Sequence, residues 1–360
     1  MTENDFLPIQ YDNLPAEGKV AWKAPSNIAL VKYWGKKANQ IPANPSVSFT
    51  LDACATTTTI FFSRKEDDSQ FSFDLVFEGE PKEDFKPKIQ TFLERIEIYL
   101  PFLKSYHLKI ETSNSFPHSS GIASSASGMA ALALCLMDME KMMNPEMDSD
   151  FFNRKASFLA RLGSGSACRS IEGDLIQWGE HQPIVDSSNL YGIKYPFKVN
   201  TVFKNFHDTI LLVHKGQKQV SSSGGHNLMH NHPYAERRFE QAHEHLDSLK
   251  AIFSEGNLER FIEVVESEAL TLHAMMMTSM PYFILMKPDT LQIINKIWDY
   301  RKKTKTPICF TLDAGANVHL LYPESVKEKA IQFIQDELVA HCENGHYICD
   351  RIGTGARKIG

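Results

Sequence analysis

The chain has 360 residues, of which 42% are hydrophobic and 23% are charged, and its formal net charge at pH 7 is −6. This length exceeds the usual size of a single hydrophobic core, so two domains are expected. The negative charge argues against extended contacts with nucleic acid or with an anionic membrane surface. No apolar run approaches the roughly 18 residues that a membrane-spanning helix needs.

The six cysteines are scattered and form no CxxC pair. This pattern favours reduced thiols over a disulfide framework. The first ten residues, MTENDFLPIQ, carry acids where a secretory signal would carry positive charge and an apolar stretch. We therefore expect a cytoplasmic protein.

The first half of the chain predicts several strands followed by helices, after an irregular arm at residues 1–18. Strands are predicted at Lys19–Trp22, Ser46–Leu51, Ala55–Phe62, Phe71–Phe77, Tyr106–Thr112 and Leu175–Trp178, with Ile28–Val31 as a short buried strand or turn. Helices are predicted at Phe85–Leu100, Met129–Met137 and Asp150–Leu162, the last capped by Asp150 or Ser149. This order indicates an α+β fold, not the regular alternation of a doubly wound sheet.

Residues 181–200 lack periodicity and contain two prolines, so we expect one domain over residues 1–196 and a second over 197–360. The second half predicts an antiparallel sheet with two helices packed on it. Its predicted strands are Thr209–Val213, Pro307–Leu312, Val318–Tyr322 and Tyr347–Arg351. Its predicted helices are Tyr234–Phe253, Leu258–Leu272, Asp289–Lys303 and Ser325–Cys342.

Pro117–Gly128, PHSSGIASSASG, lies between a predicted strand and a predicted helix. Glycine and small hydroxyl residues at such a turn let backbone N–H groups approach an anion, and the helix adds the positive end of its dipole. The segment suits a nucleotide phosphate tail. The alternative is an ordinary serine-rich loop in which a serine caps the helix.

Three further segments carry groups that suit an anionic ligand. Lys32, Lys36 and Lys37 surround an aromatic pair, and they either share an anion or form a solvated basic loop. Arg169 ends a run of alternating glycine and serine from Gly163, where a guanidinium can grip a carboxylate or phosphate, although a helix-ending turn explains the run equally well. Asp313 follows an apolar strand, where a carboxylate points into a cleft or simply forms a turn.

Other patterns are weaker. His226 and His230 could share a helix face, with His232 nearby, but no cysteine or acid in the segment completes a metal-ligand set. The chain has no GxxxxGK[ST] motif, no HExxH motif and no GxSxG motif, so it is neither a P-loop NTPase nor a zincin nor a nucleophile-elbow hydrolase.

Five of these strings occur in the order found in one family: APSNIALVKYWGKK at 24–37, PANPSVSFTL at 42–51, SFPHSSGIASSASG at 115–128, GSGSACRS at 163–170 and TLDAGAN at 311–317. The chain resembles the diphosphomevalonate decarboxylases of the GHMP kinase superfamily. The resemblance implies an N-terminal domain like the second domain of ribosomal protein S5, a ferredoxin-like C-terminal domain and a site between them. It also implies a homodimer.

The resemblance further implies a reaction in the mevalonate pathway of isoprenoid biosynthesis. ATP phosphorylates the tertiary 3-hydroxyl of (R)-5-diphosphomevalonate, and loss of phosphate and CO₂ gives isopentenyl diphosphate. On this basis Asp313 orients or deprotonates the hydroxyl, Lys32 neutralises charge beside it, and Arg169 holds the substrate carboxylate. The remaining substrate contacts implied are Tyr33 and Lys36 at the diphosphate, with Ser164 and Ser166 at the carboxylate.

For the nucleotide, the resemblance implies ATP with Mg²⁺, bound by the serine-rich segment. The residues implied are Ser119, Ser120, Gly121, Ala123, Ser124 and Ser125, with the hydroxyl of Ser124 as a ligand for Mg²⁺.

The chain also departs from the family pattern. It has DAGAN in place of DAGPN, and GGHNLMHNHP follows Ser223 where better-known members have a Gly-Met segment, so His226 or His230 would replace contacts made there. An arginine that those members place near the diphosphate has no clear match. The alternatives are a mevalonate 3-kinase, a phosphomevalonate decarboxylase and a non-catalytic binding protein of the same fold.

Overall fold

The computed structural model describes residues 1–8, 10–11, 13–117, 122–216 and 222–359, without the side chains of Ser222 and Ser223. Its strands are β1 (Glu17–Val31), β2 (Ser46–Arg64), β3 (Ser72–Phe77), β4 (Glu80–Pro81), β5 (Tyr106–Asn114), β6 (Leu175–Trp178), β7 (Gly192–Lys194), β8 (His207–Leu211), β9 (Cys309–Thr311), β10 (Val318–Tyr322), β11 (Tyr347–Arg351) and β12 (Arg357–Lys358). Its α-helices are α1 (Lys86–Ile96), α2 (Ser124–Met143), α3 (Ser149–Gly163), α4 (Ser222–Asn227), α5 (Ala235–Glu255), α6 (Leu258–Met277), α7 (Pro288–Thr304) and α8 (Lys327–Phe333).

The first sheet has the strand order β12-β1-β2-β5-β3-β4, and β6 joins it through β2 and pairs with β7. All pairs are antiparallel except β3 with β5. The prediction of two separate segments on either side of Pro25 is wrong, because β1 runs through them. A register shift between Pro25 and Asn27 lets the strand continue past a proline that has no N–H to donate.

The prediction of two strands within residues 46–62 is also wrong, because β2 is continuous. Its start pairs with β6, from Ser46 to Phe49, and its end pairs with β5, from Thr56 to Arg64. One long strand therefore changes neighbours along its length, and the polar Asp52 between the two halves does not break it. This brings the start of β2 beside the segment that follows α3.

Helices α1, α2 and α3 pack on one face of this sheet, and α2 is buried along almost its whole length. The cap predicted for α3 is wrong. Asp148 precedes the helix in an extended conformation and accepts a hydrogen bond from the N–H of Phe151 at 2.8 Å. Asp150 lies instead within the first turn, where a carboxylate interacts favourably with the helix dipole.

The two ends of the chain are more ordered than predicted. Glu3–Phe6 forms a short 3₁₀ helix, and the fully buried ring of Phe6 stacks on Phe158 with centroids 4.5 Å apart. At the other end, β12 pairs with the edge of β1. The C-terminal residues therefore return to the first sheet.

The second sheet is antiparallel, as predicted, and its strand order is β11-β8-β10-β9. Helices α5 to α8 accompany it, at the four positions where helices are predicted in this half. The single helix predicted at residues 325–342 is divided. It begins as α8, widens into a π-helical turn at Ile334–Leu338 and ends in a 3₁₀ turn at Val339–His341.

A shared apolar core joins the two halves of the chain. It combines Ile28 and Phe49 of the first sheet with Ile210 of the second sheet and Phe261 of α6. Beside it, the carboxylate of Asp350 accepts hydrogen bonds from the backbone N–H groups of residues 52, 53 and 54, at 3.0, 2.8 and 2.7 Å. The domain boundary at residues 196 and 197 stays a prediction. In the described part of the chain, no helix combines the length and apolar character that crossing a bilayer requires.

Candidate functional site

The ends of β1 and β9 meet at a lysine–aspartate pair. Lys32 follows β1 directly, Asp313 lies two residues beyond β9, and their Nζ and Oδ1 atoms are 3.1 Å apart. The lysine side chain is 2% exposed and the aspartate side chain is 27% exposed. The fold thus brings together two residues that sequence reasoning assigned to one site, although they are 281 positions apart.

Burial is the main influence on the Lys32 ammonium group. It lowers the pKa of Lys32, while the carboxylates of Asp313 and Glu268 act in the opposite direction. The nearby Arg169 guanidinium also lowers the pKa of Lys32. Because a buried cation is costly without a partner, the Asp313 carboxylate stabilises the charged form of the lysine.

The backbone of Lys32 is held by an ion pair that the sequence analysis missed. Glu268 on α6 is fully buried; its Oε2 accepts the N–H of Lys32 at 2.8 Å, and its carboxylate receives two hydrogen bonds from Arg238. Arg238 and Asn44 in turn donate to the carbonyl of Lys32 at 3.1 and 2.9 Å. His245 also bonds Glu268, at 2.6 Å. The peptide of Lys32 is therefore fixed from both sides.

A signal for Glu268 was present in the sequence. It lies four residues after Val264 and four before Leu272, so an acid occupies the apolar stripe of a predicted helix. Such an acid needs a buried partner. The sequence does not show that this partner is Arg238, because the two residues lie on different helices.

Arg169 is a second buried cation, 3% exposed. It donates to the hydroxyl of Ser46 and, at 3.4 Å, to the side-chain oxygen of Asn27. Among the described residues, neither hydrogen-bond partner is an acid. Burial lowers the pKa of Arg169, and the charge of Asp313 opposes this effect. A guanidinium that is fixed by neutral groups retains capacity for an anionic ligand.

Tyr33 lies against Trp178, with ring centroids 4.7 Å apart. Its hydroxyl is buried without a hydrogen-bond partner among the described residues. A Cβ on Gly165 would lie 2.8 Å from that hydroxyl, so the glycine is needed for this close approach. Ser164 and Ser166, both half-buried, flank Gly165.

Lys36 is half-buried, and burial together with the charge of Arg95 lowers its pKa. Its charge acts on His226, whose ring lies 4.3 Å from that of Tyr33. Lys37 is exposed. The roles assigned to Tyr33, Lys36, Ser164 and Ser166 stay predictions.

Three of the residues expected to bind the nucleotide, Ala123, Ser124 and Ser125, lie at the start of α2. Ala123 precedes the helix in a left-handed conformation, with φ 47° and ψ 38°, and no side chain caps the helix at that position. The alternative of a serine cap is therefore wrong for the described residues. Ser124 and Ser125 form the first turn, whereas Ser119, Ser120 and Gly121 lie outside the described residues.

A cavity of about 180 Å³ opens beside this turn, between the first sheet and helices α1 and α2. Ser124, Ser125 and Lys88 are part of its wall, and Lys88 Nζ lies 3.0 Å from the hydroxyl of Ser125. The rest of the wall includes Leu75, Phe77, Phe85, Ile89, Ile110, Met129 and Leu132. An apolar cavity with hydroxyls and one cation at its edge suits a flat organic ring that carries an anionic tail.

The β1 strand connects the two sides. The hydroxyl of Ser26 donates to the carbonyl of Ile122 at 2.5 Å, two residues before the start of α2. Six residues further along the same strand direction, Lys32 reaches Asp313. Ile122 and Asp313 thus both contact residues that lie in β1 or directly after it.

The three histidines do not form one cluster. His226 is buried in α4, which ends at Asn227, so His230 lies beyond the helix and is exposed. His232 is buried and bonds the carbonyl of Met275 at 3.1 Å. Within the described ranges, no group of three or more His, Cys, Asp or Glu side chains is placed to hold a metal ion.

Two family models cover most of the chain. The diphosphomevalonate decarboxylase-like N-terminal domain matches residues 24–189, and the mevalonate 5-diphosphate decarboxylase C-terminal domain matches residues 209–354. The chain belongs to the diphosphomevalonate decarboxylase family. The family membership and the GHMP kinase fold expected from the sequence motifs are confirmed.

Individual relatives agree with this assignment. The chain is 30% identical to a diphosphomevalonate decarboxylase from Gibberella zeae, over 84% of this chain and 80% of the relative. It is also 30% identical to a diphosphomevalonate decarboxylase from Danio rerio, over 89% of this chain and 79% of the relative. Mevalonate diphosphate decarboxylase from Staphylococcus aureus superposes with a TM-score of 0.81 at 27% identity, covering 96% of this chain and 98% of that one.

A structure described as MDDEF in complex with MVAPP, AMPPCP and magnesium superposes with a TM-score of 0.80 at 28% identity. It covers 96% of this chain and 99% of that one. A structure of mevalonate diphosphate decarboxylase from Enterococcus faecalis superposes with a TM-score of 0.79 at 27% identity, covering 96% of this chain and 99% of that one. That structure is described as showing an ATP-binding mechanism mediated by mevalonate diphosphate.

Proposed function

We propose that this protein catalyses the ATP-dependent decarboxylation of (R)-5-diphosphomevalonate to isopentenyl diphosphate, with ADP, phosphate and CO₂. The observation that supports it most is the contact between Lys32 and Asp313, 3.1 Å long, beside the buried guanidinium of Arg169. These groups supply a base, a cation for a transferred phosphoryl group and a cation for a carboxylate.

In the first step, the Asp313 carboxylate accepts the proton of the tertiary hydroxyl as that hydroxyl attacks the terminal phosphate of ATP. Lys32 stays close to the same oxygen and offsets the charge that develops there. Since the Lys32 peptide is held by Glu268, Arg238 and Asn44, the ammonium group needs little reorganisation during the reaction.

In the second step, loss of phosphate leaves a cation-like tertiary centre, and CO₂ departs from the adjacent carbon. Arg169, Ser164 and Ser166 hold the carboxylate until then. The guanidinium is buried and fixed by neutral partners, so it orients the carboxylate in a site with little water. The electrons of the breaking C–C bond form the new double bond.

At the other end of the substrate, Tyr33 and Lys36 contact the diphosphate. The Tyr33 hydroxyl is buried without a partner in the described structure, and Lys36 is half-buried. Both groups would gain hydrogen bonds from a bound anion. A local group of cations can thereby attract a polyanionic substrate although the net charge of the protein is −6.

ATP binds with its base in the apolar cavity and its phosphates at the start of α2. The hydroxyls of Ser124 and Ser125 line the cavity, and hydroxyl oxygen is a ligand that Mg²⁺ accepts, so these residues fit the ion. Mg²⁺ would be held by the Ser124 hydroxyl and the phosphate oxygens, and it would neutralise charge on the phosphates. We also propose a homodimer.

Turnover assays test the proposal. Purified protein is incubated with ATP and Mg²⁺ and, in parallel, with diphosphomevalonate, 5-phosphomevalonate or mevalonate, while ADP and CO₂ are measured. We expect equal amounts of ADP and CO₂ with diphosphomevalonate. ADP without CO₂ would indicate a kinase, and CO₂ mainly from 5-phosphomevalonate would indicate a phosphomevalonate decarboxylase. If none of the three substrates is turned over, the result would indicate a non-catalytic binding protein of the same fold.

A further inference from the structure

His226 is packed into the substrate side of the site. It is 8% exposed, and its ring lies between those of Tyr33 and Trp34, with centroid distances of 4.3 and 4.6 Å. The backbone N–H of Gly35 donates to its Nδ1 atom at 3.0 Å. A Cβ on the preceding Gly225 would lie 2.5 Å from the Trp34 ring, so a glycine is needed to seat α4 here.

These contacts define the protonation state of the ring. An Nδ1 atom that accepts a hydrogen bond carries no proton, so the neutral imidazole carries its proton on Nε2. Burial, aided by the charges of Lys36 and Arg169, lowers the pKa of His226 to about 3. At neutral pH the Nε2–H group is therefore a donor, and it has no hydrogen-bond acceptor among the described residues.

The surroundings of His226 indicate what this donor binds. Both charged groups that act on it, Lys36 and Arg169, are cations. The ring of Tyr33 contacts His226, and its hydroxyl is buried without a hydrogen-bond partner within the described structure. A buried hydroxyl without a partner is costly, and an anion beside Tyr33 would accept a hydrogen bond from this hydroxyl and one from the Nε2–H group of His226.

We propose that the Nε2–H group of His226 donates a hydrogen bond to the diphosphate of the substrate and thereby contributes to the recognition of that group. This inference rests on the proposed function, because it takes the diphosphate to lie at Tyr33 and Lys36. A neutral donor suits this position: a third cation beside Lys36 and Arg169 would be repelled before the substrate binds.

Two variants separate this role from a structural one. In His226→Asn the amide oxygen replaces Nδ1 and still accepts the N–H of Gly35, but the Nε2 donor is lost. In His226→Gln the amide nitrogen occupies the position of Nε2, so the donor is kept and the acceptor for Gly35 is lost. Steady-state kinetics with diphosphomevalonate and with ATP are measured for both variants, together with thermal melting.

For His226→Asn we expect KM for diphosphomevalonate to rise about tenfold, the loss typical of one hydrogen bond to a charged group. We expect kcat and KM for ATP to stay within about twofold of wild type, and His226→Gln to retain most of the affinity. Equal KM values for His226→Asn and wild type would overturn the inference. So would equal losses in both variants, which would indicate packing alone.

Calorimetric titration with inorganic pyrophosphate tests the donor independently of turnover. We expect the affinity of His226→Asn for pyrophosphate to be about tenfold lower than that of wild type or His226→Gln. If the wild type binds pyrophosphate in this way but does not turn over diphosphomevalonate, the proposed function fails while the anion contact stands. Equal pyrophosphate affinity in all three proteins would refute the contact.

Discussion

The two ends of the site differ in how completely the protein builds them before a ligand arrives. At the end proposed for the substrate, Lys32 and Arg169 are buried and each is held by hydrogen bonds to the protein. At the end proposed for the nucleotide, Ser125 is exposed at the edge of an open apolar cavity. The charged groups at the substrate end are therefore fixed before a ligand binds. The nucleotide end provides an apolar cavity and a few polar groups.

This difference follows from what each end does. Phosphoryl transfer and decarboxylation need charges at fixed positions, and fixing them during folding avoids reorganisation during the reaction. Buried charges reduce stability unless they are paired, so the substrate end depends on residues such as Glu268, which bonds Lys32, Arg238 and His245. The nucleotide end has no comparable buried ion pair among the described residues, and we expect it to tolerate substitution better.

The largest effect is expected for Asp313→Asn. Loss of the carboxylate removes the base and leaves Lys32 without its closest counter-charge, so kcat should fall by about 10³-fold or more. ATP should still bind, because the nucleotide cavity is separate. The measurement is single-turnover kinetics combined with nucleotide titration. Asp289→Asn, which alters an exposed pair with His341, is the control and should leave kcat unchanged. Near-normal turnover would remove Asp313 from the mechanism.

A smaller effect, on stability, is expected for Glu268→Gln. Breaking one partner of a fully buried ion pair costs about 3 kcal/mol. The free energy of unfolding, measured in urea, should decrease by that order, and kcat should fall because the Lys32 peptide loses an acceptor. Glu244→Gln alters the exposed pair with Arg237 and serves as the control. If both variants were equally stable, the buried pair would not be what holds this end together.

The dependence of stability on pH gives a third comparison. In the folded state the pKa of His226 is lowered to about 3 and that of His273 to about 4, in both cases mainly by burial. Both values lie below the ordinary value near 6.5, so the unfolded chain binds more protons as the pH falls below about 6.5. Stability is thus fully present above that pH and decreases toward pH 4.

His226→Asn removes one of these two groups. Between pH 7 and pH 5 its free energy of unfolding should fall by about 1–2 kcal/mol less than that of wild type. Urea unfolding at both pH values measures the difference. A decrease of the same size in both proteins would mean that His226 is not held neutral by the fold.

The smallest effect is expected at the nucleotide end. Lys88→Met removes the cation beside Ser125, and KM for ATP should rise about threefold while KM for diphosphomevalonate stays the same. Lys86→Met, on the same helix and paired only with Glu83 among the described contacts, is the matched control. A loss of kcat as large as that of Asp313→Asn would show that the two ends are not functionally separate.

The sequence predicted those parts of the site that depend on local pattern. Lys32 and Asp313 each lie just after an apolar strand, and strand ends are recognisable from composition. The lengths of β1 and β2 were not predicted, because Pro25 and Asp52 normally interrupt strands and only the pairing of neighbouring strands shows that they do not. The continuity of these strands is a tertiary property.

The residues that support the site were the least predictable. Arg238 meets Glu268 across two helices, and His226 meets Gly35 across 191 positions. Neither pair has a fixed spacing, so no local pattern could reveal it. A single sequence gives the chemistry of each group but not which distant group satisfies it.

Asp350 illustrates a constraint of a different kind. Three consecutive backbone amides of residues 52–54 converge on its carboxylate, as such amides do on a bound anion. One half of the chain therefore acts as a built-in ligand for the other. If either half were exchanged for the corresponding half of a distant homologue, this acid would have to be kept. Without it, the three amides of residues 52–54 would lose their acceptor.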